Sequence, residues 1–230
     1  MKKAIEKIRE EIREHAKISG RNSDAITLIA VSKTYPSTAI EEAMTLGCEN
    51  FGENKVQELI QKIEHVKGKP KWRFIGHLQT NKVKYLVGQV ELIHSVDSLK
   101  LAKEIEKHSA KKGVTTSILI EVNVAREASK HGVYVEEVLE LVREIAQLSH
   151  VKLKGFMTVA PYTENPEENR PIFKALYDLS VDIQNQNIDN ISTNILSMGM
   201  SNDYKIAIEE GATLIRIGTA LFGARDYSNQ

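Results

Sequence analysis

The feature that most constrains this chain is a strict alternation of short apolar, β-branched runs with segments of helical spacing. Residues 27–31 lead into a helical segment at 37–46, 50–54 into 55–66, 71–78 into 81–87, and 91–96 into 98–110. Residues 115–123, read as the longest strand, lead into 135–148, and 153–159 into a long helix from 165 to about 186. A short strand at 195–198 precedes a helix at 202–210, and 214–217 is the last strand, followed by 218–222. An amphipathic helix over 1–19, with Ala4, Ile5, Ile8, Ile12 and Ala16 on one face and Gly20 as its stop, comes before the first unit.

Strict alternation implies parallel strands joined by right-handed crossovers. About eight such units in one chain, with no composition break to mark a linker, predict an α/β (β/α)8 TIM barrel spanning 1–230 as one domain with an extra N-terminal helix. An open doubly wound sheet is the structural alternative. The 230 residues are 41% hydrophobic, enough for a large core, and Lys+Arg and Asp+Glu both total 31, which speaks against nucleic acid or an anionic membrane as partner. Cys48 is the single cysteine and has no disulfide partner, as in a reducing cytoplasm; it reads as structural. The N-terminus is charged throughout, with no apolar signal region, and no stretch reaches transmembrane length, so a soluble cytoplasmic protein is expected.

In such a barrel the working residues sit at the carboxyl ends of the strands. Those ends carry Lys33, Glu53, Asn54, His77, Ser95, Asn123, Met157, Thr158, residues 197–201, Arg216, Gly218 and Thr219. The first strand is an unbroken apolar run ending in Lys33, and Pro36 separates it from the next helix by a short loop. Taken alone, Lys33 reads more simply as a snorkelling surface lysine, and Arg216 as an interior salt bridge or a phosphate clamp. The linear spacing shows no paired carboxylates for glycoside chemistry and no His/Cys/Asp cluster for zinc, so no metal is expected and no catalytic residue is assigned.

Two glycine-bearing turns, SMGMS at 197–201 and RIGTA at 216–220, fall on the last two strands, where phosphate sites of these barrels often lie. The first precedes a helix whose opening turn holds Asn202 and Asp203, so its amides could meet an anion, although Ser201 would also serve as an ordinary N-cap. A lysine amine opposite a phosphate cradle suits a phosphorylated aldehyde held as a Schiff base, and pyridoxal 5′-phosphate fits. Its phosphate would rest on Ser201, Gly218 and Thr219. Arg216, always protonated, would donate to the pyridine nitrogen and keep it from protonation, which makes the ring a poorer electron sink.

These residues resemble the YggS/PROSC family of pyridoxal phosphate homeostasis proteins. The matching segments are AVSKTYP (30–36), NFGENKVQE (50–58), FIGHLQTNK (74–82), IEVN (120–123), GFMT (155–158), LSMGMS (196–201) and IRIGTALFG (215–223). The resemblance implies a fold-type III barrel like the N-terminal domain of alanine racemase, with Lys33 as the Schiff-base lysine and Arg216 facing the pyridine nitrogen. It places Ser201, Gly218 and Thr219 on the phosphate, Asn54, His77, Met157 and Ser197 along the ring, and Met200 in the same cofactor-binding set. The loop at 125–130 departs from the family pattern, with Arg126 where glycine is usual, and Asn202 stands where an acidic residue is common. Related racemases carry an additional β domain that these 230 residues do not accommodate. The resemblance therefore implies a vitamin B6 carrier, buffer or regulator with no established activity, mostly monomeric, serving apo-enzymes that need the cofactor and affecting amino-acid and keto-acid metabolism indirectly. The competing expectations are a small amino-acid racemase, with His77 or Tyr35 as second base, and a metal- or sugar-phosphate barrel unrelated to pyridoxal.

Overall fold

The computed structural model describes residues 1–223; the rest of the expected 1–230 unit lies outside them. Its strands are β1 (Thr27–Val31), β2 (Asn50–Glu53), β3 (Lys71–Phe74), β4 (Leu92–Val96), β5 (Thr116–Glu121), β6 (Val151–Met157), β7 (Ile191–Ser197) and β8 (Leu214–Ile217). They pair in sequence order and all in parallel, and β8 returns to β1 to close the barrel. The open sheet is thereby set aside, because β1 and β8 pair in register from Thr27↔Leu214 to Ala30↔Ile217 and leave the sheet no free edge among the described residues.

The crossover helices are α2 (Ser37–Thr45), α3 (Val56–His65), α4 (Val83–Leu86), α5 (Leu99–Lys112), α6 (Val138–Ala146), α7 (Arg170–Gln184) and α8 (Tyr204–Glu209); α9 (Thr219–Phe222) follows β8 and α1 (Lys2–Ile18) precedes the barrel. The apolar stripe of α1, Ile5, Ile8, Ile12 and Ala16, is buried. Glu11 of α1 accepts from the Tyr204 hydroxyl and pairs with Lys205, while His15 meets Glu209 at 2.6 Å, so α1 braces α8 from outside.

Side chains alternate between two apolar compartments along each strand. Phe51, Phe74, Ile93, Ile118 and Phe156 pack outward with the helices. Ile29, Leu92, Leu119, Met157 and Leu214 form a separate cluster that fills the lumen. The rest of the lumen is polar: Arg73 donates to Asn50 Oδ1 at 2.8 and 3.0 Å, and His94, Glu121, Ser197 and Arg216 are buried.

Several element limits differ from the sequence expectation, each for a tertiary reason. β5 is six residues, shorter than the seven of β6 and β7, because beyond Glu121 the chain turns to bridge Val133. β7 begins at Ile191, ahead of the expected 195; its polar opening Ser192-Thr193-Asn194 hides the strand from a hydrophobicity reading, and Thr193 instead bonds the Gln184 side chain. β3 stops at Phe74, short of 78, because Gly76 packs against the Asn54 backbone so closely that a Cβ there would lie 2.2 Å from Asn54 O. The helix after β7 begins at Tyr204 rather than 202.

Candidate functional site

The turn after β1 is fixed from both sides. Lys33 stands two residues beyond the strand, partly buried, in the connection to α2. Thr34 follows with φ 70°, a left-handed conformation that β-branched residues rarely adopt and that costs on the order of 1–3 kcal/mol. The geometry persists because its surroundings determine it. Thr34 N–H donates to Glu58 Oε1 at 2.6 Å, and the Lys62 ammonium donates at 2.7 Å to that same oxygen, to Glu53 Oε1 and to the Ser32 carbonyl. Ser32 Oγ completes the cluster by donating to Glu53 Oε1 at 2.6 Å. The residues on either side of Lys33 are therefore tied to one buried cation. Burial pushes the Glu53 carboxyl up, against the opposing pull of Lys62 and Ser32. On the β8 side, the Tyr35 ring stacks on Phe222 with centroids 4.7 Å apart and its hydroxyl donates to Gly223 O at 2.6 Å.

Arg216 lies on β8, in register with Ile29 of β1. Its guanidinium is buried and donates to Ser197 Oγ at 2.6 Å and to the Thr158 carbonyl at 2.8 Å, both neutral partners. Burial pushes Arg216 down to about 10, opposed by the charges of Asp203 and Glu121, so it remains a cation at neutral pH. Ser197 Oγ also meets His94 Nδ1 at 2.9 Å. His94 is held well below the ordinary imidazole range by burial, with the Arg216 and Arg73 charges acting in the same sense, so it is neutral and accepts there from the Ser197 hydroxyl. Ser197 thus orients Arg216 from below. Glu121, buried at the end of β5, is pushed up to about 7 by burial, with Asp97 adding and Arg216 opposing.

The two glycine turns meet, but not as the sequence suggested. Asp203, not Ser201, is the N-cap position of α8, and its carboxylate accepts from Met200 N–H at 2.7 Å and from Asn169 Nδ2 at 2.8 Å. The Met200 amide is thus committed inside the turn. Gly199 sits at φ 88°, where a Cβ would lie 2.6 Å from Ala207 Cβ, so the turn packs flat on α8. Ser201 Oγ accepts from Ala220 N–H at 3.5 Å, which joins the β7 turn to Gly218 and Thr219. Gly218 is buried beside the Val31 carbonyl, next to the turn that carries Lys33, and Thr219 is exposed.

The remaining expected residues divide by depth. Met157 and Ser197 are in the lumen, below the mouth. Asn54 is at the β2 end, and its Oδ1 is buried without a protein partner. His77 stands at the rim, 41% exposed, with Nδ1 3.5 Å from Asp97 Oδ2 and its ring stacked on His131 at 3.8 Å. The structure therefore draws Lys33, Arg216 and the β7 and β8 turns to one side of the mouth, and His77 to another. Two groupings escape a reading by linear spacing. Lys62 had one visible signal: it occupies the buried stripe of α3 with Val56 and Leu59, where an isolated lysine demands a partner. His77, Asp97 and His131 come from three different loops, contrary to the expectation that no His/Asp cluster exists. Among the described residues, no helix is long and apolar enough to cross a membrane.

Comparison with known proteins matches residues 4–226 to the alanine racemase N-terminal domain family. A relative from Aquifex aeolicus, named pyridoxal phosphate homeostasis protein, is 46% identical over 224 residues, covering 97% of both chains. The solved structure of PipY from Synechococcus elongatus, described as having PLP bound, superposes with a TM-score of 0.81 at 33% identity over 92% of this chain and 100% of its own. An alanine racemase from Clostridium difficile shares the fold at a TM-score of 0.69 and 16% identity, with 96% of this chain matching 56% of the larger one. The closed barrel, the strand-end lysine and full-length relatives of this name together establish that the chain belongs to the pyridoxal phosphate homeostasis protein family, within the alanine racemase N-terminal domain group.

Proposed function

We propose that this chain binds pyridoxal 5′-phosphate at the strand-end mouth and holds it for delivery to apo-enzymes, without turning over substrates of its own. The single observation that carries the reading is the buried Arg216 cation, bonded among the described residues to neutral partners, on the strand next to the pinned Lys33 turn. A buried cation so placed favours an acceptor, and the orphaned Asn54 Oδ1 at the β2 end offers a further polar contact. The donor set therefore fits this cofactor. When bound, the cofactor supplies an aldehyde that captures amines and a ring that withdraws electrons.

In this reading Lys33 presents its amine to the aldehyde, and the Lys62 network holds the turn from which it reaches. Arg216 donates to the ring nitrogen and keeps that atom from taking a proton, with Ser197 and neutral His94 fixing its orientation. Asn54, His77 and Met157 would hold the ring. Ser201, Gly218 and Thr219 receive the phosphate; Met200 contributes its side chain, since its amide is used within the turn. A ring nitrogen kept unprotonated stabilises carbanions poorly, which suits a reservoir better than a racemase. The names of the relatives agree with that role. We place the protein in the cytoplasm as a single-domain monomer.

The test is an absorption spectrum of the purified protein before and after borohydride, followed by peptide mapping. A pyridoxyl group on Lys33, absent from Lys33→Ala, is the expected result; a modified peptide elsewhere overturns the assignment. Arg216→Gln should lower cofactor retention by about tenfold or more, since a charge-assisted bond is worth roughly 1.5–3 kcal/mol. Incubation with L-amino acids in deuterium oxide tests the non-catalytic part. Steady α-deuteron uptake that depends on Lys33 would make the protein an enzyme.

A further inference from the structure

On the rim, away from the Lys33 turn, three side chains from successive strand ends converge. His77 follows β3, Asp97 follows β4, and His131 ends the loop after β5. One ligand atom from each lies within 4.8 Å of the other two. We propose that His77, Asp97 and His131 form a binding site for a zinc-class transition-metal dication.

The donor set selects the metal. Two imidazoles and one carboxylate suit Zn2+, Co2+ or Ni2+, whereas Ca2+ and Mg2+ require mainly oxygen ligands. Three protein ligands leave a coordination position for water or a small anion, as in open zinc sites. With metal–ligand bonds of about 2.0–2.2 Å, tetrahedral ligand atoms lie roughly 3.3 Å apart, so the cluster has to contract by an ångström or so. Its histidines are exposed, so their side chains have room to rotate into that contraction. The rings now stack at 3.8 Å with planes 14° apart; because the nitrogen lone pairs lie in the ring planes, binding must unstack them. The Asp97 carboxylate, already 3.5 Å from His77 Nδ1, supplies the negative charge.

The positions of the ligands are built in. His131 immediately precedes Gly132, whose φ of 107° and contact with the Asn123 backbone admit no Cβ. The next residue, Val133, is bonded to Glu121 O and Asn123 N at 3.0 and 2.9 Å. His77 follows Gly76, whose carbonyl accepts from Ser95 Oγ. A bound metal would tie the loop after β5 to the ends of β3 and β4, anchoring loops that border the mouth. His77 belongs to both readings, but the three ligands and their geometry do not rest on the cofactor.

The test uses the full chain without a polyhistidine tag, titrated with Zn2+ by calorimetry and with Co2+ by visible absorption. One Zn2+ per chain and the d–d bands of tetrahedral Co2+ are expected. Removing an outer partner of a metal site already costs 10–100-fold, so His131→Ala and Asp97→Asn should each weaken Zn2+ binding by more than about tenfold. His65→Ala, an exposed histidine of α3, should leave it unchanged. Melting in chelator checks folding: equal melting temperatures for wild type and His131→Ala, with a Zn2+-dependent rise only in wild type, support the site. Zn2+ binding that survives His131→Ala, falls equally in His65→Ala, or is absent from wild type overturns it.

Discussion

Lys62 and His131 both belong to charged clusters near the mouth of one barrel, yet they are built on opposite principles. Lys62 is 5% exposed, and its ammonium spends its donors on the Ser32 carbonyl, Glu53 and Glu58. His131 is exposed and makes a ring stack with another exposed histidine. The first cluster is centred on a buried ammonium and the buried Glu53 carboxylate and holds a strained turn in one geometry; the second keeps exposed histidine side chains with room to rotate. The difference teaches where rigidity is placed. The β1–β2 side fixes a backbone from which a lysine must reach, whereas the β3–β5 side leaves ligand atoms able to rearrange.

The largest way to break this comparison is Lys62→Met. It leaves Glu53 buried without its ion partner and should cost about 3–5 kcal/mol by urea unfolding. Adding Glu53→Gln should recover much of the loss; if Lys62→Met is nearly neutral, the β1–β2 side is no more rigid than the rim. Next is Glu121, held at about 7 in the fold against an ordinary carboxylate value of 4.5. Its folded value is raised, so its contribution is fully present below about pH 4.5 and is lost as pH rises through about 7. Glu121→Gln should therefore gain on wild type by up to about 3 kcal/mol as pH rises from about 4.5 through about 7 and keep that gain above it, read from unfolding curves across pH. A pH-independent difference would remove Glu121 from the set of buried, titrating groups.

A smaller effect concerns Arg126, which takes φ 56° and pairs with Glu136 at 2.7 and 2.9 Å. That left-handed conformation suits glycine, and here arginine bears the strain. Arg126→Gly relieves that strain but loses a surface ion pair, so the net change should stay within about 1 kcal/mol. The smallest is His131→Ala without metal, expected within about 0.5 kcal/mol of wild type because the residue is exposed. A larger loss would mean that the rim histidines serve stability in the way Lys62 does.

Some of the site was legible in the sequence and some was not. Lys33 could be placed just past a strand because an apolar run, a lysine and a proline lie together in the ten residues 27–36. Arg216 could be placed on the last strand for the same kind of reason. The β7 turn was misread: Asp203 looked like a first-turn helical residue, and its carboxylate in fact turns back to Met200. Nothing local distinguishes those two uses of an aspartate, since both satisfy amides at a helix start.

The alternation of periods along the chain determined the parallel eight-unit order, and the quoted segments determined the family. Those signals are local, carried by residues within a few positions of one another. Closure of β8 onto β1, the grip of Lys62 on both sides of Lys33, and the convergence of His77, Asp97 and His131 were decided only by the tertiary structure. Each joins residues far apart in sequence or on separate loops, and the barrel's curvature brings them together through space.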